Sequence, residues 1–147
     1  MKKKVIPIVL LLSLILVWRL SFHQSVAAYP SVTLTKEDQI WIISDLHYLS
    51  PTLFDSGEAF SYIEKTAAGK ELRYGKERMD ALLEQVKRDK PKHLLVSGDL
   101  TLNGEKQSML ELAEYFGKME KAGTQVQVIP GNHDIASGWA RAFKGDQ

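Results

Sequence analysis

Hydrophobic and polar positions alternate between two rhythms along most of the chain. Gln39 to Ser44 (QIWIIS), His93 to Ser97 (HLLVS) and Gln125 to Ile129 (QVQVI) are short runs rich in Ile, Val and Leu, read as strands. Between them the spacing is helical. Met79, Leu82, Leu83 and Val86 share one face of a helix over Lys76 to Asp89, which Pro91 stops. Met109, Leu112, Ala113, Phe116 and Met119 share one face of a helix over Glu105 to Ala122, with Gly123 at its end. Glu58 to Ala68 is a weaker helix. Asp45 to Gly57, and the stretch from Gly69 to Gly75, read as loops. The order is β-α-β-α-β, which predicts an α/β fold with a parallel sheet and right-handed crossovers. In such sheets functional groups gather beyond the carboxyl ends of the strands.

The N-terminus follows a different pattern. Lys2, Lys3 and Lys4 precede an apolar run, Val5 to Trp18, and Ser25-Val26-Ala27-Ala28 follow. Basic start, apolar stretch and small residues are the order of a secretory signal peptide, cleaved after Ala28 or after Ala27. The alternative is an uncleaved anchor. Spanning a bilayer needs roughly 20 apolar residues, so Arg19 would have to snorkel and Leu20 to Phe22 be recruited. Either way the body is expected outside the cytoplasm. The expected organisation is residues 1–28 as signal or anchor, 29–38 as linker, and 39–147 as the folded part.

Composition changes the picture in two places. The net charge of +1 conceals four basic and no acidic residues in 1–28, so the body is net −3 and offers no basic patch for nucleic acid. The absence of Cys excludes disulfides, thiolate metal sites and Cys nucleophiles. The basic cluster Lys87, Arg88, Lys90 and Lys92 reads as a solvated helix end.

Chemistry collects at the three strand exits. After the first strand comes Asp45-Leu46-His47; after the second, Gly98-Asp99; after the third, Gly131-Asn132-His133-Asp134. Carboxylate, imidazole and carboxamide are hard to borderline ligands that suit Zn, Mn, Fe or Mg. Gly98 would let the backbone approach an ion closely, and the two oxygens of Asp99 could bridge two cations. His133, held by Asp134, would be a proton donor to a leaving group. Each motif alone is also ordinary turn chemistry; three at consecutive strand exits are not. Among the other candidates, His93 and Trp41 read as structural. Tyr48 is a candidate pocket wall, and Arg141 a solvated residue that could meet a phosphate.

The ordered set D-L-H at 45–47, G-D-L-T-L-N-G at 98–104 and G-N-H-D at 131–134 resembles the calcineurin-like metallophosphoesterases, from about Gln39 onward. Within them, I-S-D-L-H-Y, S-G-D-L-T-L-N-G-E-K and V-I-P-G-N-H-D look most like exported bacterial members of the cyclic-nucleotide phosphodiesterase type. The resemblance implies a two-sheet α/β sandwich, of which this chain would hold the N-terminal part, incomplete at the C-terminus. It implies two divalent cations (Mn, Fe or Zn) and a phosphoester substrate. Asp45 and His47 would hold the first cation, Asp99 would bridge, and Asn132 would hold the second. His133 would act at P–O cleavage, with Asp134 orienting it. The family pattern continues with G-H and G-H-x-H histidines on later strands, and none of residues 135–147 is His. The expected function is therefore metal-dependent phosphoester hydrolysis. The alternatives are a truncated, non-catalytic fragment, or an anchored surface protein whose metal motif is structural. One sheet edge and one face are expected to lie uncovered.

Overall fold

The computed structural model describes residues 35, 38–135 and 137–147. The signal or anchor reading of 1–28 lies outside the described residues, as does nearly all of the 29–38 linker. The elements run β1 (Ile40–Ile43), a 3-10 turn (Pro51–Leu53), α1 (Glu58–Thr66), α2 (Gly75–Asp89), β2 (His93–Ser97), α3 (Lys106–Lys121) and β3 (Gln125–Ile129). The fold is α/β, as expected, with one parallel sheet in the order β1-β2-β3. Ile43 pairs with Val96, and Val96 with Val128, so the three strand ends lie level.

Consecutive parallel strands in sequential order, joined by right-handed crossovers, put their helices on one face of the sheet. The core lies there. Leu94 and Val96 pack with Met79, Leu83 and Val86 of α2 and with Leu112, Phe116 and Met119 of α3, while Trp41 and Ile43 join from β1. The opposite face is open among the described residues: Ile40, Ile42 and Ile129 are 57%, 70% and 65% exposed. The expectation that QIWIIS is a buried strand therefore holds for only one of its two faces.

Helix α3 also departs from its predicted face. Ala113 is exposed and Tyr115 is buried in its place, because the Tyr115 hydroxyl donates to Asp80 on α2. The chain leaves α2 through Lys90 in a left-handed conformation, whose N–H donates to the Val86 carbonyl. A second cluster of Leu49, Phe60, Leu72, Leu102 and Phe143 fixes the long connection between β1 and α2. Phe54 stacks on Phe60 at 4.1 Å, and the Phe143 N–H donates to the Leu53 carbonyl. That cluster anchors the loop carrying the first strand's exit motif.

Candidate metal centre at the strand ends

Beyond β1 and β2 the two chains stay paired. Asp45 N–H donates to the Gly98 carbonyl, His47 N–H to Asp99 and Tyr48 N–H to Leu100, at 3.2, 2.9 and 2.9 Å. Regular strand geometry would send alternate side chains to opposite faces. The loops avoid this by turning left-handed at Asp45 (φ 56°), His47 (φ 41°), Gly98 (φ 80°) and Asp99 (φ 48°). Three non-glycine residues in that region cost about 1–3 kcal/mol each, and such strain clusters at functional sites. The third loop closes onto them through Gly131. A Cβ at Gly131 would stand 2.2 Å from Asp99 Oδ1 and 2.3 Å from the Asp99 nitrogen, so only glycine permits this approach.

The result is a group of three donors, His47, Asp99 and His133, whose ligating atoms all lie within 4.8 Å of one another. His47 Nε2 stands 3.8 Å from both Asp45 Oδ1 and Asp99 Oδ2, too far for a hydrogen bond. Its Nδ1 is buried without a partner. Burial pushes the His47 imidazole below its ordinary pKa; nearby Lys70 and His133 act in the same direction, against Asp99 and Asp45. A neutral imidazole keeps the lone pair a cation needs. A buried ring whose Nε2 faces two carboxylates beyond hydrogen-bonding range fits a divalent cation at that nitrogen.

His133 is held from two sides. Its backbone N–H donates to Asp99 Oδ1, and its Nδ1 lies 2.6 Å from the Leu102 carbonyl. A carbonyl only accepts, so Nδ1 carries the proton and Nε2 is left free. This corrects the expectation that Asp134 orients His133. The Asp134 carboxylate instead accepts from the backbone N–H groups of Gly131, Leu100 and Thr101 and from the Thr101 hydroxyl, at 2.7 to 2.9 Å. Burial alone would push this carboxyl up, but the hydrogen bonds from Gly131, Leu100 and Thr101 outweigh it and hold it below the usual carboxylate range. Asp134 is thus the clasp between the second and third loops. Thr101 Oγ1 also accepts from Gly104 N–H, so the turn bearing the Leu102 carbonyl belongs to the same web.

The remaining sequence candidates scatter. Asp45 is near His47, but its side chain is 65% exposed. Asn132 is exposed at the tip of its turn. Tyr48 is buried and its hydroxyl donates to Glu111, so it packs and does not line a pocket. Arg141 lies over the Trp139 ring, on a groove of about 710 Å³ that contains none of the donors. A smaller cleft of about 280 Å³ does contain donors, Asp45 and His47, and its other walls include Lys70 and Arg78. Sequence reasoning passed over both basic residues, because a lysine in a loop and an arginine on a helix carry no local signal.

A comparison with curated proteins finds no match. A family model described as calcineurin-like phosphoesterase matches residues 39–147, the stretch that carries all three loops and the sheet. The chain belongs to the calcineurin-like phosphoesterases, a family that typically binds divalent metals.

Proposed function

We propose that the protein is a metal-dependent phosphodiesterase acting on small phosphodiesters, cyclic nucleotides among them, outside the cytoplasm. The observation that carries this reading is the convergence of His47, Asp99 and His133 from three consecutive strand exits. Divalent cations would be held by His47, Asp99 and His133, which converge, with Asp45 beside His47. The chemistry such ions supply is neutralisation of phosphoryl charge and activation of water for in-line attack. The chain's own part is to hold these groups still. His47 stays neutral through burial, and His133 keeps its proton on Nδ1 against Leu102, leaving Nε2 for the site. The clasp at Asp134 keeps the Asp99 and His133 loops in register. The basic-then-apolar order of residues 1–28 supports export, with that segment removed or retained as an anchor.

A non-catalytic fragment is the less favoured reading, since the donors converge within the described residues. The test is hydrolysis of a generic phosphodiester by the intact protein, with Mn²⁺ and with chelator, in the wild type and in Asp99→Ala. Loss of at least about 100-fold is expected on chelation or substitution. Undiminished turnover by Asp99→Ala would overturn the reading. Cleavage of monoesters alone would remove its diesterase part, and no turnover of cyclic AMP or cyclic GMP would remove the cyclic-nucleotide part.

A further inference from the structure

The cleft that holds Asp45 and His47 is also lined by Lys70, Glu71 and Arg78. Lys70 sits at the end of a tight turn, its N–H donating to the Ala67 carbonyl at 3.1 Å. Ala68 and Gly69 within the turn are both left-handed, at φ 53° and 83°. For Ala this is an unfavourable backbone. Packing does not demand it: both residues are exposed, and a Cβ at Gly69 would meet nothing within 4 Å. What the strained turn achieves is the position of Lys70, half-buried at the cleft that His47 also lines.

The basic residues between them in sequence are spoken for. Arg73 is paired with Glu64, and Lys76 with Asp80. Among the described residues neither Lys70 nor Arg78 has such an ion pair. Arg78 reaches only the Leu46 carbonyl, at 3.4 Å, and is otherwise exposed. Two cations without carboxylate partners thus line the same cleft of about 280 Å³ as the donors, together with the exposed Glu71, leaving room for a phosphate group and a compact substituent.

We propose that Lys70 and Arg78 are substrate-binding residues of this same site, taking the non-bridging oxygens of an anionic phosphate ester in the cleft they share with Asp45 and His47. This rests on the hydrolase reading above. A planar guanidinium and a mobile ammonium together can follow a phosphoryl group whose oxygens shift during cleavage. The class favoured is compact phosphate esters with charged oxygens, and neutral esters are disfavoured.

The experiment uses the intact protein loaded with Mn²⁺ and the variants Lys70→Gln, Lys70→Arg, Arg78→Gln and the Lys70→Gln/Arg78→Gln double. Calorimetry reads the affinities for Mn²⁺ and for inorganic phosphate, and steady-state kinetics reads KM and kcat separately. Lys70→Gln is expected to weaken phosphate binding and raise KM about tenfold, and the double variant more. Lys70→Arg is expected to keep most of the binding, and Mn²⁺ affinity to stay unchanged throughout. Phosphate affinity and KM that do not move in the double variant overturn the proposal, while metal-dependent turnover by the wild type leaves the hydrolase reading standing. A wild type that binds phosphate through Lys70 without metal-dependent turnover has the opposite meaning: the anion site stands and the hydrolase reading falls. A wild type that does not bind phosphate overturns the anion site directly.

Discussion

Gly131→Ala adds one methyl group at the narrowest point of the site. The new Cβ would lie 2.2 Å from Asp99 Oδ1, 2.3 Å from the Asp99 nitrogen and 3.0 Å from its Cγ. Ordinary contact begins near 3.4 Å, so the loops must part by about 1 Å. Neither side yields freely. Gly131 N–H is tied to Asp134 Oδ2 at 2.7 Å, and Gly98 N–H to the Ile129 carbonyl at 2.8 Å. Gly131 is not among the left-handed residues, so the effect is steric and involves no backbone preference. Overpacking of this kind costs about 1–3 kcal/mol, which for a domain of this size lowers Tm by about 4–12 °C. Moving Asp99 away from His47 and His133 is expected to weaken Mn²⁺ binding about 10- to 100-fold. Calorimetric metal titration and thermal melts read the two effects. Gly117→Ala is the control: it lies in α3 with nothing within 4 Å of a new Cβ, and should be neutral or stabilising by up to about 1 kcal/mol. A Gly131→Ala protein with wild-type Tm and wild-type Mn²⁺ affinity would refute the argument that loop approach builds the site.

Two further outcomes follow from the polar networks. Asp134→Ala strands three backbone N–H groups and the Thr101 hydroxyl, at a cost of about 3 kcal/mol or more in chemical denaturation; a carboxylate whose only task was to orient His133 would leave stability nearly unchanged. Burial pushes the Glu111 carboxyl up, but hydrogen bonds from Gln107, Tyr48 and Ser50 outweigh it and hold it below the ordinary glutamate value. A depressed folded pKa contributes stability that is present above the unfolded value and is lost as pH falls through the folded one. Stability measured against pH should therefore drop through that acidic window in the wild type and less in Glu111→Gln, and identical acid limbs would count against this network.

The local patterns of the chain were enough to determine its elements and the chemistry at their ends. The apolar runs HLLVS and QVQVI, the 3.6-residue spacing around Leu83 and Leu112, and the stops at Pro91 and Gly123 are properties of neighbouring residues, and the strands and helices follow them within a few positions. The donor types at the three strand exits are also visible in one dimension, because a βαβ order returns every strand end to the same side of the sheet. Other features depended on contacts between distant residues. Asp134 stands beside His133 in sequence, yet its carboxylate is drawn to the N–H groups of Leu100, Thr101 and Gly131. Tyr48 follows His47 but turns inward, because Glu111, 63 residues away, receives its hydroxyl. Whether the apolar strands were covered on both faces depended on which side the crossovers placed the helices, and Ile40 and Ile42 carry no mark of that side. The cationic wall of the cleft is the same kind of fact. Lys70 and Arg78 come from a turn and a helix with ordinary local patterns, and only the folding of the β1–α2 connection brings them to the cleft of Asp45 and His47.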